Sequence, residues 1–107
     1  MQVIATQHPE VLLLRPKIFG DARGFFFESY NRKALAGLGI TAEFVQDNHS
    51  RSAQGVLRGL HYQISQPQGK LVRVVAGEVF DVAVDLRCSS PHLGRVASFR
   101  LSAETHG

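Results

Sequence analysis

An all-β sandwich or small barrel is the fold class this sequence predicts, and three observations predict it. Short apolar or aromatic runs recur along the chain with Gly, Pro, Asn and Ser between them. Only one stretch carries helix signals. The pair Ala76-Gly77 sits between two runs rich in Val, the strongest hairpin signal in the chain.

The elements follow in order. Residues 11–14 form a short apolar strand ended by Pro16, which cannot donate to a ladder. Asp21-Ala22-Arg23-Gly24 is turn chemistry, and it leads into an aromatic strand over residues 25–30. Asn31 can cap a short helix through Ala34, Leu35 and Leu38, with Gly37 and Gly39 ending it. Strands are predicted over residues 44–48 and 56–63. Residues 70–75 and 78–87 are predicted to pair as a hairpin, with a further strand over 96–101. Along 78–87, Phe80, Val82, Val84 and Leu86 make an unbroken apolar face, the predicted core. No closing element follows the last strand in residues 102–107, which predicts unpaired edges.

Composition limits the classes. At 107 residues the chain makes one domain at most, here residues 1–107. A hydrophobic fraction of 44% argues against a disordered tail. The formal charge of +3 is scattered, which suits a small anionic ligand. Nucleic-acid binding would need clustered basic residues interleaved with aromatics, and none are present. Apolar runs are too short to span a membrane, and residues 1–10 lack a signal-peptide layout. The lone Cys88 excludes an internal disulfide and favours a cytoplasmic location.

Polar residues are densest between Gln46 and Lys70. Period-2 geometry puts His61 and Arg58 on opposite faces of a 56–63 strand. A bulge at Gly59 would bring both to one pocket. Asp81 and Asp85 share the face opposite Phe80, and an inward carboxylate needs a partner. A pocket of His61, Lys70 and Asp81 would suit acid–base work beside a developing enolate. Plainer readings stand beside this one: a satisfied structural His61, solvated Arg58 and Lys70, and an Asp81 paired with Arg73 or Arg87. His8, His49, His92 and His106 show no partner pattern and are read as surface residues. A metal strand would carry His-x-His and then a carboxylate. Here Gln63 holds the second position, Gln66 and Pro67 lie where the carboxylate would follow, and Lys70 repels a cation, so no metal site is expected. Cys88 has no evident base, and no phosphate-binding glycine pattern is present.

Five blocks in order carry a family resemblance: residues 21–28 (DARGFFFE), 44–50 (FVQDNHS), 56–63 (VLRGLHYQ), 68–74 (QGKLVRV) and 77–87 (GEVFDVAVDLR). Together the chain resembles the N-terminal part of the dTDP-4-dehydrorhamnose 3,5-epimerases. The resemblance implies a cupin-like jelly roll (a double-stranded β-helix), incomplete at its C-terminus. It implies a nucleotide-sugar substrate, no metal or organic cofactor, and a homodimer joined through N-terminal strands. His61 is similar to the catalytic base, Lys70 to the enolate-stabilising group, and Asp81 to an inward carboxylate beside them. Arg23 and Arg58 resemble pyrophosphate and nucleotide contacts. Glu28, Gln46, Asp47 and Asn48 match substrate-binding positions at the nucleotide end. The proton-donating tyrosine of the family and the carboxylate that orients its histidine lie beyond this stretch, and Tyr30 and Tyr62 sit in other blocks. His92 stands where the family favours Thr. The implied activity is inversion at C3 and C5 of dTDP-4-dehydro-6-deoxyglucose. The alternatives are a related single-centre epimerase or ketoisomerase, or a catalytically incomplete fragment that binds nucleotide sugar or only dimerises.

Overall fold

The structure, a computed structural model, describes residues 1–65 and 68–105. In chain order its elements are β1 (Gln2–Ile4), β2 (Leu13–Arg15), β3 (Ile18–Asp21), β4 (Gly24–Phe27), α1 (Arg32–Gly37), β5 (Glu78–Val84) and β6 (Val96–Ser102). They pair antiparallel as three two-stranded sheets, β1 with β2, β3 with β4, and β5 with β6. The expected strand-and-turn character with one helix is what the chain has. His106 and Gly107, and with them the reading of His106 as a surface residue, lie outside the described residues. So do Gln66 and Pro67, invoked above against a metal site.

Local chemistry explains the helix. Asn31 is extended and its side-chain oxygen accepts from the Ala34 N–H at 2.9 Å. At the other end Gly39 takes a left-handed φ of 87°. There the Gly39 N–H donates to the Ala36 carbonyl and the Ile40 N–H to the Leu35 carbonyl. This paired pattern satisfies two carbonyls of the helix's last turn. Leu35 is buried.

The predicted strand at 11–14 appears as β2 and the aromatic strand as β4. β1 is not among the predicted strands, and β3 is missed because Asp21 reads as the start of a turn. Among the described residues, 44–48, 56–63 and 70–75 join no ladder. The hairpin expectation is therefore corrected: β5 pairs with β6, not with residues 70–75. Gly77 does adopt the left-handed turn conformation (φ 78°), but its carbonyl accepts from Ala103 N–H and extends the β5–β6 ladder. A turn residue sets a local bend; it does not choose the strand that pairs beyond it.

The predicted core face is also corrected. Phe80 is 66% exposed, and Val82 and Leu86 are exposed as well. Val84 on the predicted face is half-buried; full burial lies on the opposite face and comes from β6, with Ala97 at 0% opposite a half-buried Ala83 and Leu101 buried opposite an exposed Val79. Alternation is correctly read from the sequence, but its polarity is reversed, since β6 brings small and apolar residues to the Ala83 side. The molecule is open overall. Its radius of gyration is 15.1 Å, against about 13 Å for a compact domain of this length. Its accessible surface of 9016 Å² compares with roughly 5,900 Å² for a compact monomer of this mass.

Candidate functional site

Most of the candidate residues lie on the stretches outside the ladders. Gln46 Nε2 donates to Asn48 Oδ1 at 3.1 Å, and Asp47 is exposed between them. Arg58 Nε donates to Ser52 Oγ at 2.8 Å and its Nη2 to the Arg51 carbonyl at 3.4 Å, which folds the guanidinium back onto its own loop. His61 and Lys70 are exposed, and neither side chain bonds to another described residue. Gly59 has a φ of 133° and residues 56–63 form no strand, so period-2 alternation does not set Arg58 against His61; no bond joins the two side chains among the described residues.

Arg23 and Glu28 sit on the β3–β4 hairpin. Arg23 pairs with Asp21 through its backbone N–H and its guanidinium, both at 2.8 Å. That guanidinium holds the Asp21 carboxyl below its usual range. The hairpin also lines an open concavity of about 490 Å³ with Phe19, Phe25 and Phe26. Glu28 borders a second of about 280 Å³ with Lys17 and Phe26.

Asp81 is half-buried on the inward face of β5 and has no hydrogen-bond or ion-pair partner among the described residues. Neither arginine considered for it pairs with it. Arg73 lies over the Phe27 ring at 5.7 Å, and Arg87 bonds to Asp85 and Glu10. No hydrogen bond joins His61, Lys70 and Asp81 among the described residues.

A closely bonded polar cluster lies elsewhere. His8 is only 3% exposed, which corrects its reading as a surface residue. Its Nε2 lies 2.8 Å from Asp85 Oδ2, and its Nδ1 accepts from the Glu10 N–H at 3.0 Å. Asp85 also accepts from Ser90 Oγ at 2.6 Å and from the Arg87 guanidinium and backbone. Arg87, then Ser90, then His8 hold the Asp85 carboxyl far below the usual carboxylate range. His92 is half-buried, its ring edge-on to His8 at 5.1 Å, so its reading as a surface residue is corrected too. One signal for this cluster was available in the sequence: Asp85 shares the inward face of Asp81, so it too needs a partner. Among the described residues no three His, Cys, Asp or Glu side chains group closely enough to hold a metal.

The family model for dTDP-4-dehydrorhamnose 3,5-epimerase matches residues 5–107. The chain belongs to this family. The epimerase of Pseudomonas aeruginosa is 66% identical over 97 residues, covering 90% of this chain and 54% of that protein. The Shigella flexneri epimerase is 60% identical over 106 residues, covering 97% of this chain and 59% of that one. Two crystal structures of epimerases superpose closely. The Bacillus anthracis enzyme, with TDP and PPi bound, gives a TM-score of 0.93 at 48% identity over 98% of this chain and 61% of its own. The Legionella pneumophila enzyme, in complex with dTDP-4-keto-L-rhamnose, gives 0.93 at 57% identity over 98% and 56%. The chain thus has the epimerase fold, the expected cupin-like jelly-roll class, and spans between half and two-thirds of the length of these relatives. No helix among the described residues is long and apolar enough to cross a membrane.

Proposed function

We propose that this chain carries the substrate-binding and proton-abstracting part of a sugar-nucleotide 3,5-epimerase acting on dTDP-4-dehydro-6-deoxyglucose in dTDP-L-rhamnose synthesis. The observation that carries this reading is its close superposition on a relative holding dTDP-4-keto-L-rhamnose. The C4 ketone acidifies the hydrogens at C3 and C5. Neutral His61 removes a proton, the C–H electrons move into an enolate, and Lys70 meets the negative oxygen. Arg23 and Arg58 offer planar forks to the pyrophosphate. Glu28, Gln46, Asp47 and Asn48 hold the nucleotide end, and Asp81 sets a carboxylate beside the base. The exposure of His61 and Lys70, with no competing side-chain bond among the described residues, supports this division of roles. Tyr30 packs edge-on against Phe44 and is not assigned as the acid that returns the proton.

Residues 1–107 act as one domain in this reading, supported by the His8–Asp85 bond across 77 positions. The protein is a cytoplasmic homodimer that uses no metal or organic cofactor and binds no nucleic acid. The exposed apolar face of β5 supports the dimer.

The test is incubation with dTDP-4-keto-6-deoxyglucose in heavy water, following deuterium at C3 beside epimer formation. Deuterium incorporation that outpaces epimer formation, and falls about 10²–10⁴-fold in His61→Ala, is the expected result. Undiminished exchange in His61→Ala would remove the base assignment. No exchange by a folded chain would favour a non-catalytic fragment that binds nucleotide sugar or dimerises.

A further inference from the structure

The connection between β1 and β2 is held by a histidine in one protonation state. His8 Nδ1 accepts from the Glu10 backbone N–H, a donor that cannot reverse its role. The ring proton therefore sits on Nε2 and is donated to Asp85 Oδ2. The same turn is tied by Thr6 Oγ1, which donates to the His8 carbonyl at 2.7 Å and accepts from the His8 N–H, and by Val11 N–H on the His8 carbonyl. Around the ring stand the charged and titratable groups Glu10 from its own turn, Asp85 from the end of β5, and Arg87 and His92 from the loop that follows. Arg87 already bonds both carboxylates, Nη1 to Glu10 Oε2 at 2.7 Å and Nη2 to Asp85 Oδ2 at 2.9 Å.

We propose that His8 is a pH-operated latch on the β1–β2 connection: neutral, it closes the turn at Glu10, and protonation at Nδ1 opens that turn. A proton on Nδ1 would point at the Glu10 N–H, 3.0 Å away between nitrogens, so two donors would face each other. One must leave. The Nε2 link to Asp85 survives protonation and gains charge, so the ring stays anchored to the sheet while the turn moves. Release of the turn also withdraws the Glu10 carboxylate from Arg87. Asp85 remains anionic throughout, because its bonds to Arg87, Ser90 and His8 favour the ionised form.

The experiment is NMR of the 107-residue chain between pH 7.5 and 5. At pH 7.5 the His8 ring nitrogens should report a neutral Nε2–H tautomer, with the Glu10 amide protected from exchange. On acidification the Glu10 protection factor should fall, by at most about tenfold per pH unit for the one proton taken up on opening. Protection at Ala83 and Ala97 should hold over the same range. In His8→Gln, which keeps a donor for Asp85 and does not titrate, Glu10 protection should show no such slope. A protonated Nδ1 at pH 7.5 would overturn the proposal, as would a Glu10 amide equally protected, or equally unprotected, at both ends of the range. The same slope in His8→Gln would overturn it too.

Discussion

Residues 41–75 carry six of the nine candidate site residues, and residues 78–102 carry the longest ladder; the two stretches are held in opposite ways. The second is a seven-pair antiparallel ribbon with Ala97 and Leu101 buried, closed at one end by a charged cluster in which each buried side-chain polar atom has a partner. In the first, apolar residues such as Leu57 stand 94% exposed, and the bonds run mainly within single loops. The difference teaches that the charged group buried beside the ladder is fully partnered, while most of the residues proposed to bind substrate stand on exposed stretches outside it. In the proposed reading His61 and Lys70 keep no side-chain bond to another described residue, whereas Asp85, buried and charged, is surrounded by donors.

Substitutions in the two regions should separate activity from stability. The widest contrast is expected from Lys70→Met, which should cut C3 exchange by about 10²–10³-fold, the range found for losing one stabilising donor at a developing oxyanion. Its thermal unfolding should match the parent chain, since the ammonium has no bond to another described residue. A matched pair comes next. Leu101→Ala should cost about 2–5 kcal/mol by emptying a buried site, while Leu57→Ala should stay within about 0.5 kcal/mol at an exposed one. Denaturant titration compares them, and equal losses would erase the distinction drawn here.

The smallest effect is on acid stability. The Asp85 carboxyl is depressed in the folded chain, so its contribution is fully present above the ordinary carboxylate value of about 4. It declines as pH falls below that value towards the depressed one. Asp85→Asn should lower stability at pH 7 and flatten its dependence below pH 4. Unfolding midpoints measured at a series of pH values check both.

Much of this was legible in the sequence, and for local reasons. The cap at Asn31, the glycine stop at Gly39 and the bend at Gly77 depend on residues at most five positions away, so side-chain chemistry alone specifies them. The alternation of β5 is likewise a property of the strand itself. Family membership was readable because five motif blocks stand in order. Tertiary structure decided which strand pairs with β5, which of its faces turns inward, and that His8 is buried on Asp85. Each of these depends on a partner supplied from far along the chain, β6 for the first two and a turn 77 positions away for the last. A lone histidine before a proline carries no periodic signal of such a partner. Only the fold brings the two together, and burial then makes their hydrogen bonds necessary.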